Sequence, residues 1–250
     1  MLVLLPPSEG KAPGGRGRPL DLSRLSHPAL NGVRERLVAA LQTAAIADPA
    51  ALQAALGCPD GEVDKNAVLT SAPTRPVLER YTGVVYDALS YATLSSSGRR
   101  RANSSLRVAS ALFGLLSPRD QVPAYRLSGG TSLPGVGSLA AMWRPVLEAE
   151  LGAVGGLVVD LRSGPYANLA RLPGAVQVRV LRESDGVRTV VSHDNKYTTG
   201  LLARELCERG ARTVADVAAA GAAVADVVEV DGRSVDLVLF GLATARGRTA

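Results

Sequence analysis

Cysteine, histidine and lysine are all scarce in this sequence, and each shortage removes a class of chemistry. Cys58 and Cys207 are the only cysteines among 250 residues, too few for a four-cysteine zinc site. His27 and His193 are the only histidines, so a histidine-rich metal site is excluded as well. Two cysteines without a secretion signal fit a reducing compartment, and a cytoplasmic location is expected. No apolar run reaches the roughly 20 residues that cross a bilayer, so no membrane partner is expected. Met1 to Leu5 is too short for a signal peptide and no basic segment precedes it.

Lys11, Lys65 and Lys196 are the only lysines, leaving 25 of the 28 basic residues to arginine. A lysine kept in such a chain suggests a need for its compact, titratable ammonium, which guanidinium cannot imitate. The net charge of +5 and pI near 9.5 permit an anionic partner without demanding one.

What is present is a globular composition, 46% apolar, in a chain long enough for a sizeable core. Leu2–Leu5 reads as a buried strand closed by Pro6 and Pro7. Residues 6–19 are rich in Pro, Gly and charge and read as irregular. Residues 27–56 place Val33, Leu37, Ala40, Leu41 and Ala44 at helical spacing and predict one or two helices. Residues 76–91 predict another, opened by Pro76. Periodicity leaves 106–116 open between strand and helix. Residues 138–151 predict a helix carrying Trp143, and 154–161 a buried strand. Residues 176–181 and 187–191 read as a hairpin, 198–209 and 214–223 as helices. Residues 227–230 and 235–240 flank Asp231-Gly232, a two-residue hairpin turn, and 244–250 read as a frayed end. The expected fold is mixed α/β (α+β), a single domain over residues 1–250 with a mixed central sheet, hairpins and surrounding helices. Residues 20–95 are a candidate helical lobe.

Four stretches could carry chemistry. Ser8, Glu9, Gly10 and Lys11 follow the first strand, and strand ends opening into Gly-containing loops are where α/β proteins place ligands. An ordinary exposed polar loop would read the same way. Residues 116–127 hold Arg119, Asp120, Tyr125 and Arg126 between prolines; Arg126 could fork onto a phosphate or carboxylate, or an Arg–Asp pair could simply pin the loop. Residues 193–197 read as a loop, holding Lys196, ahead of a helix start that could bind an anion, with Arg204 further along that helix; ordinary capping by Thr198 or Thr199 is the plainer alternative. Residues 133–141 match the hairpin of a helix-hairpin-helix element through Pro134, Gly135 and Gly137. Such hairpins bind DNA phosphates through backbone amides. Arg99, Arg100 and Arg101 would extend a basic face for DNA of any sequence. No P-loop, nucleophile elbow or dinucleotide fingerprint is present, so no cofactor is expected and no catalytic residue is assigned.

In order, PPSEGK (6–11), YTGVVYDAL (81–89), ASALFGLLSPRDQVPAYRL (109–127), Trp143, VVDLRSGPY (158–166) and NKYTTGLLAR (195–204) resemble the YaaA family over nearly the whole chain. The resemblance implies a cytosolic bacterial protein of peroxide stress that limits iron-driven damage, with a positively charged cleft and a helix-hairpin-helix-like DNA element. By motif position, it implies that Ser8, Lys11, Tyr86, Arg119, Asp120, Tyr125, Arg126, Ser163, Tyr166, Lys196 and Arg204 line one cleft, with Glu9 in its first loop. The chain departs from many relatives in that loop, which is of a Ser-Pro-Ala-Lys type there, and at Thr199, where they carry Arg. Two functions follow as expectations: a DNA-associated stress protein, or an enzyme acting on a small anionic, nucleotide-like substrate.

Overall fold

The computed structural model describes residues 1–133, 135–190 and 192–240. Pro134 and the expected frayed end at 244–250 lie outside the described residues. β1 (Leu2–Leu5) leads through an irregular stretch to α1 (Asn31–Ala47), α2 (Pro49–Leu56) and α3 (Asp64–Ala67). Next come β2 (Arg75–Pro76), α4 (Val77–Arg80), α5 (Val84–Leu89), α6 (Ser96–Ser105), β3 (Leu106–Ser110), β4 (Gly114–Leu116) and β5 (Gln121–Val122). Then β6 (Ser132–Leu133) and β7 (Gly137–Ser138) precede α7 (Leu139–Gly152), β8 (Val158–Asp160) and α8 (Gly164–Ala167). The last elements are β9 (Val176–Ser184), β10 (Val187–Thr189), α9 (Ser192–Arg209), α10 (Val214–Gly221), β11 (Val227–Asp231) and β12 (Ser234–Phe240).

The central sheet is mixed, in the order β11-β12-β9-β8-β1-β3-β4, with β10 paired to β9. β12, β9, β8, β1 and β3 run parallel to one another, while β4, β10 and β11 are attached by antiparallel pairs. β1 is buried at every position, as a parallel strand covered on both faces must be. The chain leaves β1 for β3 on one side and later returns to β8 on the other. The boundary between β1 and β8 is therefore a topological switch point, and ligands of open α/β sheets bind outside the carboxyl ends of the strands at such points.

Three local readings are corrected. Residues 76–91 form two short helices because Gly83 turns at φ 101°, bringing its Cα so near Ser8 that a Cβ would stand 3.3 Å from the hydroxyl. The turn between β11 and β12 is Gly232-Arg233, one residue later than expected, because Asp231 pairs with Ser234. The expected loop at 193–197 belongs to α9, which begins at Ser192. The stretch 106–116, open in the sequence, is strand–turn–strand. Gly114 sits there at φ 72°, where a Cβ would approach the Trp143 ring to 2.7 Å. Trp143 is fully buried and its Nε1 donates to Ala111 O at 2.8 Å.

Candidate functional site

At the switch point, the residues following β1 (Pro6, Pro7, Ser8, Glu9) and β8 (Leu161, Arg162, Ser163) face the start of α5 and the first turns of α9 across a crevice of about 580 Å³. That volume falls within the roughly 300–1,000 Å³ of small-molecule sites. Val84, Val85, Pro165, Val178 and Val190 give it apolar walls.

The first loop is held by its own lysine. Lys11 Nζ donates to Ser8 O at 3.0 Å and Glu9 O at 3.3 Å, and lies 4.2 Å from the centre of the Tyr125 ring. Burial pushes the Lys11 pKa down to about 8; the Glu9 carboxylate opposes that shift and the Arg126 guanidinium adds to it. Glu9 is paired with Arg126 at 3.0 Å and accepts from Tyr166 Oη at 3.4 Å. Arg126 is fixed through its backbone: fully buried Asn66 accepts its N–H at 2.8 Å and donates to its carbonyl at 2.9 Å.

Four of the six tyrosines gather here. Tyr86 Oη donates to Pro6 O at 2.8 Å, anchoring the chain as it leaves β1. Tyr81 and Tyr125 share a hydroxyl contact of 2.7 Å, continued to Ser110 at 2.8 Å. Burial pushes Tyr81 up to about 12 and raises Tyr86, Tyr125 and Tyr166 as well, so all four phenols are neutral at physiological pH.

On the β8 side, Asp160 and Arg162 form a buried two-pronged ion pair, both prongs 2.8 Å long. Arg162 also donates to Tyr166 O and Ala170 O, so one guanidinium moulds the turn that presents Ser163 and Tyr166. Opposite it, α9 contributes Asn195, Lys196 and Thr199, with Thr199 Oγ1 donating to Asn195 Oδ1 at 3.2 Å. α9 reaches this position because Gly200 lets it cross α5 closely; a Cβ there would collide with Val85 O. Lys196 is exposed and its ammonium has no partner among the described residues.

Of the residues proposed from sequence, Ser8, Glu9, Tyr86, Ser163, Tyr166 and Lys196 line the crevice. Lys11, Tyr125 and Arg126 stand behind its first loop. Three do not join it. Asp120 accepts from Ser117 N, Ser26 N and Ser26 Oγ and pins its own loop. Arg204 donates to Leu89 O and Ser90 O, capping the C-terminus of α5. Arg119 is exposed in a separate groove.

The basic DNA candidates also divide. Arg101 donates to the carbonyls of Cys207 and Glu208 at the end of α9, whereas Arg99 and Arg100 are exposed. Gly135 turns at φ 73° between β6 and β7, Gly137 opens β7 at φ 85°, and α7 follows directly. The preceding stretch from 123 to 131 carries no helix, so this element is a β-hairpin followed by a helix, not a hairpin between two helices.

Arg162, Ser128 and Thr199 also line the crevice and were not singled out from sequence as site residues. A carboxylate two residues before an arginine at the end of an apolar strand was the available signal for Arg162. Among the described residues, no three His, Cys, Asp or Glu side chains come together in a way that could hold a metal ion. None of the described helices is long and apolar enough to cross a membrane.

Fold and site together define an α/β protein with a ligand-sized crevice at the carboxyl edge of its parallel strands. The chain belongs to the peroxide stress protein YaaA family, whose sequence model matches residues 1–223, a family named for a role in oxidative stress. It is 45% identical over 252 residues to a UPF0246 protein of Corynebacterium efficiens, covering 96% of this chain and 99% of the relative. A UPF0246 protein of Streptomyces coelicolor is 46% identical over 220 residues, 84% of each chain. One from Corynebacterium glutamicum is 42% identical over 238 residues, 92% of this chain and 95% of the relative.

Proposed function

We propose that the chain serves the peroxide-stress response by binding a small anionic, nucleotide-like ligand in the crevice. The observation that carries this reading is that Lys196, whose ammonium has no partner among the described residues, lines one cavity with Ser8 and Ser163 and with apolar walls. A cation with nearby donors suits a phosphate or carboxylate, and apolar walls suit a base or similar ring. Lys11 supports the site from behind, because its ammonium is engaged by the loop carbonyls and the Tyr125 ring. Calorimetric titration with the common nucleoside monophosphates tests the reading. Saturable binding that weakens about tenfold in Lys196→Ala, the worth of one charge-assisted contact, is expected. Absence of binding by every nucleotide, or binding indifferent to Lys196, would overturn it.

A second reading, sequence-independent DNA binding, is favoured by the exposed Arg99 and Arg100 of α6. Filter binding would then weaken steeply with salt, with a slope near −0.9 per phosphate contacted, and Arg99→Ala/Arg100→Ala would flatten that slope. A salt-independent result removes this reading. On either reading, protection against iron-driven damage would come from occupying a nucleotide or covering DNA.

A further inference from the structure

A second concavity, of about 760 Å³, shares no lining residue with the crevice. Arg16, Arg18, Arg24 and Arg119 line it together with Thr74 and Gln121. All four arginines are exposed, and their guanidinium groups make no hydrogen bond or ion pair among the described residues. The carboxylate in the groove, Asp21, accepts from the backbone and hydroxyl of Ser23, at 3.0 and 2.6 Å, and feels the charge of Arg24 without forming an ion pair with it.

Exposed arginines on a loop are ordinarily solvated charges, but this loop is built to hold them. Arg80 is fully buried, and its guanidinium donates to the carbonyls of Ala12, Gly14, Pro73 and Val122. Gly17 N donates to Thr74 O at 3.0 Å, and Thr74 Oγ1 donates to Arg18 O at 2.7 Å. A Cβ at Gly15 would collide with the Thr74 carbonyl, and one at Gly17 with the Thr74 hydroxyl. The run Gly15-Arg16-Gly17-Arg18 thus turns both glycines onto Thr74. Arg16 and Arg18 are thereby carried into the lining of the concavity, beside Gly17 and Thr74. Arg24 and Arg119 approach from a short helical turn and from the loop after β4.

Four like charges in one concavity repel one another and gain most from a partner that is itself multiply charged. Guanidinium forks match phosphate oxygens in pairs. A nucleic-acid backbone strings single charges along its length, one per roughly 3.4 Å of duplex axis on each strand, whereas this groove concentrates its cations in a volume suited to a small ligand. We propose that the groove binds a compact oligophosphate chain, free or as the tail of a nucleoside polyphosphate.

Calorimetric titration of the intact protein with inorganic tripolyphosphate at low salt tests this. The wild type should bind one equivalent, and Arg16→Ala/Arg18→Ala and Arg119→Ala should each weaken binding about tenfold or more. Unchanged melting temperatures would show that these variants fold, and Lys196→Ala, in the crevice, should bind tripolyphosphate like the wild type. No saturable binding by the wild type, or equal affinity in the arginine variants, would overturn the proposal. A single-stranded oligonucleotide is the second arm. If it binds and depends on these arginines while tripolyphosphate does not bind, the oligophosphate assignment falls in favour of a nucleic-acid strand.

Discussion

In the crevice, the charged side chains other than Lys196 are already engaged: Glu9 by Arg126 and Tyr166, Arg162 by Asp160 and two carbonyls. In the groove, Arg16, Arg18, Arg24 and Arg119 face solvent, and their guanidinium groups make no hydrogen bond or ion pair among the described residues. The crevice draws its rigidity from strand ends and buried pairs, and offers one free cation among its described lining residues. The groove draws its rigidity from the backbone grip of Arg80 and Thr74, and leaves its charge unspent. Pre-organised polar groups orient a particular ligand; clustered free charge attracts a class of ligand. Substitutions should therefore cost stability in the framework of the crevice and affinity, not stability, in the groove.

The largest expected effect is on the β8 side. Asp160→Ala leaves the Arg162 guanidinium buried without its counter-charge and should destabilise the fold by about 3–5 kcal/mol in urea unfolding. Asp160→Leu combined with Arg162→Met removes both charges and should recover part of that loss, the Tyr166 and Ala170 carbonyls being left without their donor. If the single variant unfolds like the wild type, the crevice does not depend on its buried pair.

A smaller effect separates Lys11 from Lys196. Burial lowers Lys11 from the ordinary 10.5 to about 8. Below pH 8 both folded and unfolded chains carry the proton, and the full desolvation penalty applies. Between 8 and 10.5 the unfolded chain holds more protons than the folded one, so stability rises with pH and then levels off. Relative to Lys11→Met, the wild type should gain about 2 kcal/mol across that window, after discounting 1.36 kcal/mol per unit for partial exposure. A flat difference would place the Lys11 ammonium in water and remove its hold on the first loop.

The smallest effects sharpen the contrast from the other direction. Lys196→Ala and Arg16→Ala/Arg18→Ala should each leave unfolding free energy within about 0.5 kcal/mol of the wild type, as surface changes do. Loss of more than that in the arginine variants would mean the groove is part of the framework.

Much of the fold is legible in the sequence where local chemistry decides it. Leu2–Leu5 is uniformly apolar and buried, and β9 and β10 pair as the hairpin read from sequence, although β10 is exposed throughout. The start of α9 is not legible, because its first turns read Ser-His-Asp-Asn-Lys-Tyr and look like a loop. The close packing of Gly200 against α5 is a tertiary fact that no local pattern reveals. The site shows the same division. Ser8, Ser163 and Lys196 stand out as polar groups at strand or helix ends, but their meeting depends on β8 returning beside β1. Arg80 and Arg34 are fully buried, bonded to backbone carbonyls, where composition alone would put arginine in solvent. The Gly-Arg run from 14 to 18 reads as irregular chain because the contact that orders it, Thr74, lies far away in sequence.

The most direct test of the crevice is an amide nuclear magnetic resonance titration of the wild-type protein with adenosine monophosphate. Binding there predicts saturable shifts concentrated at Ser8, Glu9, Ser163, Asn195 and Lys196, and their loss in Lys196→Ala. Absence of shifts at these residues, or shifts confined to Arg16, Arg18, Arg24 and Arg119, would contradict it.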